Sequence, residues 1–132
     1  MAESQQIVLV VDDIETKRYV VCRMLHASNY ATVEAATGRA AVKLARKHRP
    51  DAIILDMNLP DQSGLVTLQQ LRAQTETALI PVVFLSAVAH SPSDRTRAEA
   101  LGASAYLFSP VQADTLISVL RGIIERGVSP KP

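Results

Sequence analysis

Short apolar runs, most of them rich in Val and Ile, recur along this chain at strand length: IVLVV (7–11), ATVEAA (31–36), AIILD (52–56), IPVVFLS (80–86) and SAYLF (104–108). Between them lie longer stretches whose apolar residues fall three and four apart, the period of a one-faced helix. Val20, Val21, Met24 and Leu25 mark the first helix, and Ala41, Leu44, Ala45 and His48 the second. Leu65, Leu68 and Leu71 mark the third; the fourth is short, from Asp94 to Leu101, with Gly102 as its terminator. Leu116, Val119, Leu120, Ile123 and Ile124 form the clearest stripe, ending before Gly127. This βαβα rhythm with right-handed crossovers predicts an α/β fold, a doubly wound three-layer (βα)5 sandwich around a parallel sheet. The second strand is polar enough for a sheet edge, and the others read as buried on both faces. Pro81 sits near a strand start, where a missing N–H is tolerated.

A length of 132 residues buries a core without staples, so one domain is expected over residues 1–127, with 128–132 a tail or the beginning of a linker. The single Cys22 excludes an internal disulfide and fits a reducing, cytoplasmic compartment. The polar N-terminus and strand-length apolar runs predict neither a signal peptide nor a membrane span. A net charge of +1 with mixed signs leaves no basic footprint for direct nucleic-acid binding.

In doubly wound sheets ligands sit beyond the carboxyl ends of the strands. Here the first strand ends in Asp12 and Asp13, the third in Asp56, the fourth in Ser86 and the fifth in Ser109. Two adjacent like charges need an explanation, because unit charges about 4 Å apart repel by about 4 kcal/mol at an effective dielectric near 20. One reading is structural: Asp13 or a neighbour caps the following helix. The other is chemical. If the first and third strands are neighbours, three carboxylates meet in one cleft, and a divalent oxygen-seeking cation such as Mg²⁺ neutralises them. A remaining carboxylate is then a nucleophile toward phosphorus.

These residues resemble the receiver domain of two-component response regulators, of the chemotaxis-regulator kind. The match rests on Asp12–Asp13, Asp56 within LDMNLPDQSG, Ser86–Ala87, Tyr106 and Pro110. The resemblance implies a flavodoxin-like strand order 2-1-3-4-5. It implies that Asp56 is the phosphoacceptor, taking phosphate as an aspartyl phosphate from a histidine kinase or histidine phosphotransfer domain in a phosphorelay. Asp12, Asp13, Asp56 and the backbone carbonyl of Asn58 would hold Mg²⁺; Ser86 would contact a phosphoryl oxygen; Tyr106 would change rotamer with Ser86. Signalling would then repack the face of the fourth helix, fifth strand and fifth helix. Pro60 and Gly64 complete the loop after Asp56. Such a domain is no enzyme beyond phosphotransfer and autodephosphorylation at its own Asp56. It stands alone or is joined to an output domain or kinase core in a longer chain.

One position departs from the pattern. The residue before the proline after the fifth strand is normally lysine, and here FSPV places Ser109 there, a hydroxyl without charge. The expectation is a weak Mg²⁺ site, with three carboxylates and no lysine beside them. The Ser109–Pro110 bond is expected to be cis, with the serine facing the cleft and a water or solvent cation in place of the ammonium. The departure also supports an alternative: a receiver-like interaction module that is phosphorylation-independent or weakly coupled.

Other readings are weaker. A haloacid-dehalogenase-type enzyme needs a second aspartate where this chain has Asn58, and a flavin module needs a phosphate-cradling loop where DDIETK repels phosphate. His26, His48 and His90 lack metal-ligand spacing and read as surface residues, Cys22 as packing, and RKHR (46–49) as the charged last turn of the second helix. Tyr106 reads equally as core or as switch.

Overall fold

In the computed structural model, which describes residues 5–87 and 92–126, the ten elements alternate without exception. They are β1 (Ile7–Val11), α1 (Glu15–Ala27), β2 (Ala31–Ala35), α2 (Gly38–His48), β3 (Ala52–Leu55), α3 (Gly64–Ala73), β4 (Val82–Ala87), α4 (Pro92–Ala100), β5 (Ala105–Ser109) and α5 (Ala113–Arg126). The strands form one parallel sheet in the order β2-β1-β3-β4-β5. His90, Gly127 and the tail 128–132 lie outside the described residues. None of the described helices is long and apolar enough to cross a membrane.

The unbroken apolar runs follow from burial on two faces. Because side chains alternate along a strand, Leu9, Val11, Ile53, Leu55 and Phe84 enter one core with Ala41, Ala45, Leu68 and Leu71 of α2 and α3. Val8, Val10, Ile54, Val83 and Leu85 enter the other with Val21, Leu25, Leu116, Leu120 and Ile123 of α1 and α5. β2 is an edge strand as its polarity predicts. β5 is the other edge, so it is not buried on both faces: Phe108 is 49% exposed.

Helix ends and faces differ in detail from the periodic reading. Thr37 caps α2 through the Ala40 N–H, and Ser63 caps α3 through the Val66 N–H. On α1 the inward stripe is Val21, Cys22 and Leu25, while Val20 is half exposed. His48 is exposed, and Ile117 joins the buried face of α5. β4 begins after Pro81, whose carbonyl nevertheless accepts the Ile53 N–H at 2.9 Å. β5 extends one residue further than the apolar run suggests, through Ser109. Arg72 ties the sheet to α3, donating to the carbonyls of Ile80 at 2.8 Å and Gly102 at 2.9 Å.

The loop from β3 into α3 closes against the strand it leaves. The Gly64 N–H donates to the Met57 carbonyl at 2.6 Å. A Cβ at position 64 would stand 2.5 Å from the Asp56 carbonyl oxygen and 2.7 Å from Cε1 of Phe84. Backbone and a fully buried ring cannot both yield, so Gly64→Ala is expected to cost about 1–3 kcal/mol, the usual range for overpacking. Urea unfolding measures it, and an unchanged midpoint would contradict this account of the loop.

Candidate functional site

Parallel register sets the geometry of the cleft. Val11 pairs with Leu55, and the ladder continues one step further, with the Asp56 N–H donating to the Val11 carbonyl at 3.0 Å and the Asp12 N–H to Ala35 at 3.1 Å. Asp12 and Asp56 therefore leave neighbouring strands at the same level, 7% and 6% exposed, with Asp13 exposed beside them. One carboxylate oxygen from each of the three lies within 4.8 Å of the others. That donor set, hard oxygens from three carboxylates, suits a small divalent cation.

The structural reading of the acidic pair does not hold. α1 begins behind Ile14, and no side chain caps it. Asp12 instead accepts the Ile14 N–H on Oδ1 at 2.9 Å, which orients its carboxylate toward the cleft and leaves Asp13 outside the helix-capping role.

A lysine does stand beside the acids, contrary to the expectation drawn from Ser109. Lys17, in the first turn of α1, places Nζ 3.4 Å from Oδ2 of Asp12 and 4.0 Å from Oδ2 of Asp56. The expectation failed because the pairing depends on the phase of α1, which carries position 17 inward above Val21 and Leu25. Its neighbour Arg18 turns the other way, to Glu34 at 2.8 Å and the Asp12 carbonyl at 2.7 Å.

Asp56 resists ionisation. Burial raises its pKa most, the nearby Asp12 carboxylate next, and Asp13 adds to them; the Asn58 N–H, at 3.4 Å from Oδ1, and the Lys17 ammonium oppose the rise. Ser86, in β4, is fully buried, and among the described residues its hydroxyl has no partner beyond the Tyr106 phenol. In register Ser86 faces Phe108 and Tyr106 faces Phe84, so Ser86 and Tyr106 are staggered by two positions. The Tyr106 ring is buried between Phe84 and Phe108, with centroids at 5.8 and 5.6 Å, and burial raises the pKa of its phenol against the influence of Ser86. The Ser109–Pro110 peptide bond is cis, as expected. Ser109 lines a groove of about 270 Å³ together with Asp12, Lys17, Val21, Leu85 and Pro110.

Asp61 was also invisible as a participant. It accepts the N–H groups of Gly38 at 2.9 Å and Arg39 at 3.0 Å, which hold its pKa down and tie the loop after Asp56 to the start of α2. Of the remaining candidates, His26 is exposed and shares a 2.9 Å bond with Thr32, and Cys22 is buried in the core, where burial raises its pKa.

Fold and cleft together define a strand-end acidic site on a doubly wound sheet, and comparison with known proteins gives the class. Residues 8–121 match the family model of the response regulator receiver domain. The chain is 30% identical to Protein PilH of Pseudomonas aeruginosa over 89% of its own length and 96% of that protein. Among solved structures it resembles chemotaxis protein CheY4 of Vibrio cholerae, at 32% identity and TM-score 0.85, covering 91% of this chain and 99% of that one. It also resembles the receiver domain of a Pseudomonas aeruginosa sensor histidine kinase, which has a magnesium ion coordinated in its active site cleft. That match has 30% identity and TM-score 0.84, covering 92% and 99% of the two chains. The chain belongs to the response regulator receiver family, a signalling domain of two-component systems.

Because folded Asp56 holds its proton more tightly than the unfolded chain, it costs stability as pH rises from the ordinary aspartate range toward its raised value, and that cost is present at neutral pH. Asp56→Asn is therefore expected to melt above wild type at pH 7 in metal-free buffer. The gain should vanish below the ordinary aspartate range. A variant melting below wild type at pH 7 would contradict the balance described for this carboxyl.

Proposed function

We propose that residues 1–127 act as a phosphoaccepting signalling domain in which Asp56 takes a phosphoryl group from a phosphohistidine on a histidine kinase or phosphotransfer partner. The observation that carries this reading is Asp56 itself, a buried carboxylate beside Asp12 at the end of β3 with its oxygens turned into a cleft. Asp12, Asp13, Asp56 and the Asn58 carbonyl would hold Mg²⁺. The three clustered carboxylates fit that role, and the buried Ser86 hydroxyl can donate to an anionic oxygen of the transferred group. Mg²⁺, when bound, neutralises the acids and withdraws charge from phosphoryl oxygens.

In the transfer an Asp56 carboxylate oxygen bonds to phosphorus as the phosphorus–donor bond breaks and its electron pair leaves with the donor. Ser86 orients the transferred group, and its reorientation frees Tyr106 to change rotamer, repacking α4, β5 and α5. The link between the two hydroxyls supports that coupling: Ser86 lowers the pKa of the Tyr106 phenol against the effect of burial, and among the described residues neither hydroxyl has another hydrogen-bond partner. Attack by water on phosphorus, breaking the bond to the Asp56 oxygen and releasing inorganic phosphate and the free carboxylate, would reset the domain. A reducing cytoplasm suits this role, and an output domain or kinase core in a longer chain is compatible with it.

Ser109 favours a second reading, a receiver-like module whose output is weakly coupled to phosphate, because its hydroxyl carries no charge to follow the phosphoryl group. Both readings meet one test. Incubation with Mg²⁺ and a small phosphodonor, followed by intact mass measurement, is expected to add one phosphoryl group, and Asp56→Asn to abolish it. Label that survives the substitution would remove Asp56 as acceptor; no label at all would favour the phosphorylation-independent module.

A further inference from the structure

We propose that Lys17 supplies, from α1, the positive charge at the acceptor that Ser109 does not, pairing with Asp56 before phosphorylation and with the phosphoryl oxygens after it. The inference rests on Asp56 being the acceptor. Its basis is placement. Lys17 is the only cation among the described residues in an ion pair with Asp56, and it bridges to Asp12 in the same cleft.

The position is built into α1. Residues 17, 21 and 25 lie four apart, and Val21 and Leu25 are buried against the sheet, so position 17 heads the same stripe where it emerges at the carboxyl edge. The stem of Lys17 lines the groove with Val20, Val21, Met24 and Pro110, an apolar path suited to a lysine that keeps its ammonium at the polar end. Ser109 lines that same groove, and its short side chain leaves the charge to Lys17. The side chain of Lys17 is 28% exposed, against 10% and 8% for its two partners, so the ammonium can move with the charge it follows.

The step needs nothing else from Lys17. The Asp56 oxygen forms the bond to phosphorus, the donor leaves with the electron pair of the broken bond, and the ammonium keeps its protons while it offsets charge on the equatorial oxygens. The same ammonium repels a cation in the cleft, so its removal has opposite effects on two measurable quantities. Phosphorylation slows and Mg²⁺ binds more tightly.

The test uses the purified chain with acetyl phosphate, following Asp56 phosphorylation by intact mass and Mg²⁺ binding by calorimetry. Lys17→Met is expected to slow phosphorylation about tenfold, less than the loss of a fully buried donor, while tightening Mg²⁺ binding several-fold. Lys17→Arg should keep most of the rate, and Ser109→Lys should restore it in the Lys17→Met background. An unchanged rate in Lys17→Met, or a loss of rate that Ser109→Lys leaves unrestored, overturns the inference. A parallel fall in rate and Mg²⁺ affinity overturns it too, because it marks structural damage. Failure to label wild type overturns the phosphoacceptor reading and this inference with it.

Discussion

Repulsion among three carboxylates at the ends of adjacent strands is the constraint on which the rest of this structure depends. The parallel ladder leaves Asp12 and Asp56 no choice of level, because each backbone N–H is committed to the neighbouring strand. A pair of charges about 4 Å apart costs about 4 kcal/mol at an effective dielectric near 20, a large part of the stability of a small domain. The Ile14 N–H, the Asn58 N–H and Lys17 offset part of this, yet Asp56 still resists ionisation. A site held in that condition favours whatever brings positive charge to it.

The surrounding fold is organised to hold the acids in place against that repulsion. β1 and β3 lie inside the sheet with a hydrophobic core on each face, so neither strand can shift without exposing both cores. The loop after Asp56 is fixed twice more, by the close approach of Gly64 to Asp56 and by Asp61 at the start of α2. Rigid backbone under a strained charge arrangement is the condition in which a small change in charge becomes a change in packing. Tyr106 and Phe108 lie on β5, the edge strand beside β4, with Tyr106 buried and Phe108 half exposed.

Much of this was legible in the residues. The strands announced themselves because burial on both faces demands unbroken apolar runs, and the acids did because charges have no place at the end of such a run without a purpose. The strand order came from family resemblance and not from periodicity, since burial patterns do not say which strands are neighbours. Lys17 escaped for a different reason. Its role depends on the rotation of α1 about its own axis, and the periodic reading placed Val20 on the buried stripe when it is half exposed. Asp61 escaped because its partners, Gly38 and Arg39, are over twenty residues away and meet it only through the packing of α2 beside α3. The register of Ser86 against Phe108 likewise required the β4–β5 ladder.

The central claim, that the repulsion remaining in this cleft is what a divalent cation relieves, is tested most directly by thermal unfolding at pH 7 in MgCl₂ and in NaCl matched for ionic strength. Specific binding to the folded state predicts a midpoint that rises with Mg²⁺ concentration well beyond the NaCl control. Coincident melting curves in the two salts would contradict it.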